Sequence, residues 1–312
     1  MKKLLIIISL LIFIGGVCLI VFGSIKISKD EKYNVKRTYD ITEEVTNINI
    51  DVDTSDLEII YFENGDESER VETIETDKIS YDAQVNEGTL YIKTIDERKF
   101  YDRFFSFVDL KMKIYLNKNT LGDVKIEIAT GDILINKEFS VESLNIKGST
   151  GDINLYMNKA DDVDVRLSTG DIKIENSSLS SLKVDLSTGR TNLKNIIVTG
   201  DINLISTTGR KNLENVKCNK LEIDSSTGDL SMKKVECTGI MTIEQSTGDV
   251  DFDDIDAEKI SIDLSSGKVI GYFYTDWTIY AKSSSGNVDV PHRSGKICEI
   301  TTKSGKIIVQ IK

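Results

Sequence analysis

Leu144-Asn-Ile-Lys-Gly-Ser-Thr-Gly-Asp-Ile-Asn-Leu155 decides the fold of this chain, because the phrase is written many times over. The next copy is Val163-Asp-Val-Arg-Leu-Ser-Thr-Gly-Asp-Ile-Lys-Ile174. Its glycine returns every 19 or 20 residues, at Gly131, Gly151, Gly170, Gly189, Gly209, Gly228, Gly248, Gly267, Gly286 and Gly305. A constant period of this length marks a repeat architecture. Apolar pairs such as Val124 and Ile126, or Leu221 and Ile223, stand ahead of the glycine, and pairs such as Ile133 and Ile135, or Val250 and Phe252, follow it. The residues between them are mostly polar. That is period two, so each repeat reads as strand, turn, strand; the three-and-four spacing of a helix is missing.

So short a unit cannot bury its own apolar face. Stacking solves this: strands pair in parallel about 4.8 Å apart, and the apolar positions become inward ladders. A glycine suits a turn that needs positive φ. Residues 121–312 are therefore predicted to be an all-β, β-helix-like parallel β-solenoid of 19–20-residue coils. Thr199-Gly200 and Thr238-Gly239 fall off the period and are assigned to the return turn on the opposite side.

Residues 30–120 are less regular and read as a β-rich N-terminal half or cap. Ile48–Leu57 matches the repeat phrase with Ser55 in the glycine position, 76 residues ahead of Gly131. Glu63–Arg70 reads as a loop. Lys99–Phe107 is aromatic and reads as a core cap, or alternatively an exposed tip. Tyr272, Phe273, Tyr274, Trp277 and Tyr280 interrupt the pattern and are expected to bury one end of the solenoid.

Residues 1–29 form a predicted membrane anchor and juxtamembrane segment. Leu4–Phe22 is free of charge and long enough to span a bilayer as one transmembrane helix. An uncleaved signal anchor is the preferred reading, with cleavage or lipidation at Cys18 as the alternative. Basic residues flank both sides of the span, so the positive-inside rule alone does not orient it. The solenoid is expected outside the cell membrane, as a single-pass protein.

The chain holds 39 basic and 51 acidic residues, net −12. An acidic body argues against nucleic acid as a partner. A cell-surface polymer, a cationic peptide or a membrane protein remain as candidate partners. Cys218 and Cys237 are 19 residues apart and should meet on adjacent coils, within disulfide range. The preferred reading is two small buried ladder residues, since Ser140, Ala160, Leu179, Val198 and Ala257 take the same position in other repeats. His292, the sole histidine, reads as a loop residue, so neither a zinc site nor a Ser-His-Asp site is expected. No cofactor is expected.

After the turn glycine stand Asp132, Asp152, Asp171, Asp229 and Asp249, interrupted by Arg190 and Arg210. Stacked carboxylates form a candidate ligand ladder, with Ca²⁺ as one candidate ligand. The competing reading is turn-stabilising Asp with opposite charges inserted to relieve repulsion. Arg190, Lys194, Arg210 and Lys211 form a candidate basic patch for a phosphate or carboxylate polymer. A solvated, charge-balancing face is the competing reading.

The Ser-Thr-Gly-Asp-Ile phrases, the strand Val108–Leu116 and the N-terminal helix together resemble a bacterial family of unknown function labelled "putative adhesin". It is a β-strand-repeat domain of Firmicutes envelope proteins. The resemblance implies a parallel β-solenoid, association with the membrane or cell surface, and links to envelope stress. It implies no catalytic residues. Two functions follow as expectations: a membrane-anchored, extracytoplasmic, non-enzymatic binder of a surface partner or envelope-active ligand, or an envelope-stress scaffold that partners a membrane protein. A carbohydrate-active enzyme would need clustered carboxylates, and here the acids repeat instead.

Overall fold

The computed structural model describes residues 35–62, 68–99, 110–135 and 139–312. The predicted span Leu4–Phe22 and most of the aromatic run Lys99–Phe107 lie outside the described residues. Among the described residues no helix is long and apolar enough to cross a membrane. Strands β1 (Val35–Asp40), β2 (Asn47–Thr54), β3 (Asp56–Tyr61), β4 (Arg70–Glu75), β5 (Ile79–Asn86), β6 (Thr89–Asp96) and β7 (Lys111–Leu116) come first. The regular repeats supply β8 (Thr120–Thr130), β9 (Ile133–Ile135), β10 (Ser140–Thr150), β11 (Ile153–Tyr156), β12 (Lys159–Thr169), β13 (Ile172–Thr188), β14 (Thr191–Val198), β15 (Ile202–Thr208) and β16 (Lys211–Cys218). They continue as β17 (Leu221–Thr227), β18 (Leu230–Cys237), β19 (Ile240–Thr247), β20 (Val250–Asp256), β21 (Lys259–Ser266) and β22 (Val269–Phe273). The chain closes with β23 (Trp277–Ser283), β24 (Val288–Asp289), β25 (Lys296–Ser304) and β26 (Ile307–Ile311).

The repeats stack in parallel, in register, as a β-solenoid. β8 and β9 carry β10 and β11, and the same step repeats to β21 and β22. In-register pairs such as Leu144↔Val163 and Ile146↔Val165 show why the apolar columns work. Each buried side chain lies on its counterpart one coil away, so a short strand acquires a continuous core. Nine turn glycines adopt φ between +129° and +146°. Each inner turn glycine donates its amide to the carbonyl of the following coil, as Gly170 does to Thr188 at 3.0 Å. Gly200 and Gly239 lie between β14 and β15 and between β18 and β19, which is the return turn.

A second corner was not anticipated. Asn176, Asn195, Asn215, Lys234 and Asp254 adopt φ between +53° and +64°, each six residues after a turn glycine. The left-handed bend leaves two consecutive residues outside in strands such as β14, and the interior alternation resumes beyond it. Asn195 donates its amide to Asn176 at 3.0 Å, and Asn215 does the same to Asn195. Asn tolerates this conformation better than most residues. The signal was visible in the chain as an Asn recurring at the repeat period.

At both ends the order of stacking departs from the order of the chain. β2 and β3 lie directly on β8 and β9, so Ser55 is the immediate neighbour of Gly131 despite the 76 residues between them. β6 and β7 then continue the stack outside β2 and β3. At the other end β25 and β26 pair with β21 and β22, and β23 and β24 lie outside them. Gly305 therefore stacks on Gly267, and Gly286 belongs to the outermost coil. Gly286 departs from the other turn glycines: it is not among the positive-φ residues, and its amide takes the Ser283 hydroxyl at 2.8 Å. Among the described residues no further coil lies beyond it to offer a carbonyl.

The N-terminal end is overlaid by antiparallel strands. β5 pairs with β6, β4 with β7, and β1 with β4. Glu75, fully buried there, accepts from Tyr39 at 2.8 Å and Thr73 at 2.7 Å and pairs with Arg37 at 2.9 Å. Buried charge is tolerated when it is paired and hydrogen-bonded in this way. Of the C-terminal aromatics, Phe273 and Trp277 stack at 4.9 Å inside the core, whereas Tyr274 and Tyr280 are exposed.

Candidate functional site

The turn carboxylates are occupied in joining coils. The amide of Asp152 donates to Asp132 Oδ1 at 2.7 Å, that of Asp171 to Asp152 at 2.8 Å, and that of Arg190 to Asp171 at 2.9 Å. Asp229 accepts from the amide of Asp249 at 3.2 Å, and Asp249 from that of Lys268 at 2.8 Å. A glycine turn points the next residue's N–H outward, away from the ladder carbonyls. The neighbouring Asp reaches across one coil and satisfies it, as a helix-capping side chain would. Among the described residues no three or more His, Cys, Asp or Glu converge as a metal site.

Asp171 shows the device most fully. Its second oxygen takes the Arg190 guanidinium, which holds its carboxyl below the usual aspartate value. The folded value is depressed, so the contribution to stability is present above the ordinary aspartate range and lost as pH falls through the folded value. Asp171→Ala is expected to lower stability by about 1 kcal/mol, the range of one lost hydrogen bond. Asp171→Asn keeps the acceptor and should lose less. Urea denaturation of both variants checks this; equal losses would mean that the charge pair, not the amide cap, is the part that counts.

The structure separates the four basic residues. Arg190 and Arg210 stand on the turn ladder beside Asp171 and Asp229, and Lys194 pairs with Glu214 at 3.1 Å. Lys211 is elsewhere: it points into the solenoid and is only 1% exposed. It occupies the interior column shared by Thr191 and Leu230. Its Nζ donates to Ser225 Oγ at 2.6 Å, and Ser225 in turn lies 3.2 Å from Ser206 Oγ. Burial pushes its pKa down to about 8, against a small opposing pull from Asp229. The position two residues after Gly209 carried the clue, because the same position in most repeats is apolar.

The surface most open to a partner is the C-terminal end. Among the described residues β25 is the one strand whose register with β23 is formed, so the other edge of β23 carries no paired strand. Its inward residues Ile279 and Ala281 have no coil above them and are only half-buried. Val288 of β24 faces the same end and is 37% exposed. Together with Val290 they floor a groove of about 880 Å³. Asp263 and Asp289 supply its acidic margin; Glu299, also on the lining, is paired with Lys259 at 2.8 Å, and Lys282 lines it as well. Tyr280, 60% exposed, lies alongside, and His292 stands exposed on the loop between β24 and β25. The opposite end of the stack is the one covered by antiparallel strands. Sequence periodicity could not locate this site, because it says where coils are but not which coil is outermost.

A family model described as Toastrack DUF4097 matches residues 45–209 and again residues 197–312. No protein of curated function matches the sequence. Among solved structures, three that are similar to this chain are as follows. A lipid-binding protein, described as "putative", from Parabacteroides distasonis is 15% identical, with 85% of this chain and 96% of that one covered and a TM-score of 0.46. A "putative adhesin" from Bacteroides fragilis is 16% identical, with 89% and 97% covered and a TM-score of 0.37. A "putative cell adhesion protein" from Clostridium sporogenes is 12% identical, with 90% and 100% covered and a TM-score of 0.21.

Proposed function

The chain belongs to the Toastrack DUF4097 family, and from that premise we propose a membrane-anchored, extracytoplasmic, non-enzymatic binder that takes an extended cationic polypeptide at its open C-terminal end. The observation that carries the reading is the free edge of β23 above a half-exposed apolar floor with an acidic margin. A free strand edge offers a row of unpaired N–H and C=O groups, and an extended segment can add to it as one more strand. Backbone pairing would supply affinity, and Ile279, Ala281 and Val288 would take alternate apolar side chains. Net charge −12 and the margin of Asp263 and Asp289 favour a cationic partner and speed its approach.

The stacking order supports a role at a surface. β1, the first described strand, lies with the antiparallel strands at one end, and the open groove lies at the other. An anchor at Leu4–Phe22 would therefore hold the covered end and present the groove away from the bilayer. Binding without catalysis is supported by the commitment of the repeated carboxylates to backbone amides.

A fluorescent cationic, amphipathic peptide titrated into the protein at low salt tests this. Wild type is expected to bind, and Val288→Lys with Asp289→Lys to weaken binding by tenfold or more. Both positions are exposed, so the fold should survive, which circular dichroism would verify. No binding even at low salt, or equal affinity in the double variant, would sink the proposal.

A further inference from the structure

We propose that Cys218 and Cys237 form a disulfide that staples two neighbouring coils, a modification site built into the return side of the solenoid. Cys218 ends β16, Cys237 ends β18, and the two are in register as direct partners across a parallel pair. Neighbouring parallel strands lie about 4.8 Å apart, inside the range of Cα separations that disulfides span. The Sγ atoms are already 3.1 Å apart, both on the inner face. Closing to bonding distance needs side-chain rotation and a small adjustment, not movement of a strand. Thr238 N–H donates to the Cys218 carbonyl at 3.0 Å, so the backbone beside the pair is held as well.

Among the described residues the pairing is unambiguous. Cys298 is also buried, but it stacks between Ile260 and Ile279 on a different column of the coil. Cys218 and Cys237 are free thiols in this structure, 4% and 6% exposed. The facing Cys218 thiol, and after it burial, push the Cys237 thiol upward, so little thiolate exists once the coils are packed. Thiol–disulfide exchange requires a thiolate with access to its target. The bond is therefore made while β18 docks onto β16, before the pair is sealed, and is sheltered from reductants afterwards. Chemically, one thiolate attacks a small-molecule disulfide such as oxidised glutathione and expels one thiolate. The second cysteine then attacks the mixed disulfide and expels the other. In total the two protein S–H protons pass to the two expelled thiolates, the protein thiols are oxidised by two electrons, and the small disulfide is reduced to two thiols.

The experiment uses the full chain in detergent, unfolded and refolded once in a glutathione redox buffer and once under full reduction. Each sample is then denatured without reductant, alkylated and analysed by peptide mass. The oxidised sample is expected to yield a linked Cys218–Cys237 peptide pair and an alkylated Cys298. Its melting temperature should exceed that of the reduced sample by several degrees, and Cys218→Ser with Cys237→Ser should abolish the difference. Complete alkylation of Cys218 and Cys237 after oxidative refolding would overturn the proposal. So would a linked pair that includes Cys298, or a melting temperature unchanged by the bond.

Discussion

Gly189→Ala should lose about 3–5 kcal/mol of stability, the sum of a strained backbone position and a forced repacking of its neighbours. Gly189 holds φ +139°, where a side chain is strained whatever space surrounds it. Here there is also no space: an added Cβ would stand 1.8 Å from the carbonyl oxygen of Gly170. Gly170 is in the same conformation, with φ +136°, and is itself pressed against Gly151. The strain cannot be passed along the stack, because every neighbour is a backbone atom that takes part in the same ladder. Relieving it by flipping the turn would break the Gly189 amide bond to Thr208 and displace the Arg190 amide from Asp171. Gly148→Ala is the control. Its added Cβ would meet chiefly the tip of Leu167, 2.9 Å away, and that side chain can move. Urea denaturation of both variants decides the matter. A cost below about 1 kcal/mol for Gly189→Ala would mean that the turn tolerates a side chain after all, far from the usual range for such a site.

Lys211→Met is expected to stabilise the protein at pH 7 by about 2–3 kcal/mol, by removing a buried amine whose pKa burial has lowered. The folded value is about 8 and the ordinary value is 10.5. Between those limits the unfolded chain binds more protons at this site than the folded one. Stability therefore rises with pH across that window, and below it the full cost of holding the charge in the core is present. The variant should lose this pH dependence, and its advantage over wild type should shrink as pH approaches 10. Tyr39 and Tyr81, both raised to about 12 by burial, are present in both proteins and cancel from the comparison. Met is unbranched and fills the column between Thr191 and Leu230. Chemical denaturation of both proteins from pH 7 to 9.5 gives the comparison. Equal stability at pH 7 would show that the bond to Ser225 offsets the whole cost of burial.

The further candidate-site residues differ in how legible they were. The Asp ladder could be read directly, because a residue fixed to the turn glycine must repeat wherever the turn repeats. What it bonds could not be read, since the amide it satisfies belongs to another coil. Lys211 was grouped with Arg210 by adjacency, yet successive residues of a strand face opposite sides. The position relative to the glycine, not the charge, was the informative feature. The Asn corner was missed for the converse reason: its residues are polar and exposed, so a search for apolar alternation passes over them.

Local chemistry acting at one period was enough to determine the all-β class, the parallel stacking, the glycine turns and the columns of the core. These are properties of each coil and its nearest copy, and the chain repeats them. The tertiary structure alone decided the order of the coils at the two ends, the covered N-terminal end, the open C-terminal groove and the burial of Lys211. A repeat gives every coil the same inward face and the same edge, so any coil can in principle rest on any other. Only the completed stack shows which pairs meet, and the groove exists because β25 and β26 insert beneath β23 and β24 and, among the described residues, leave the outer side of that last coil uncovered.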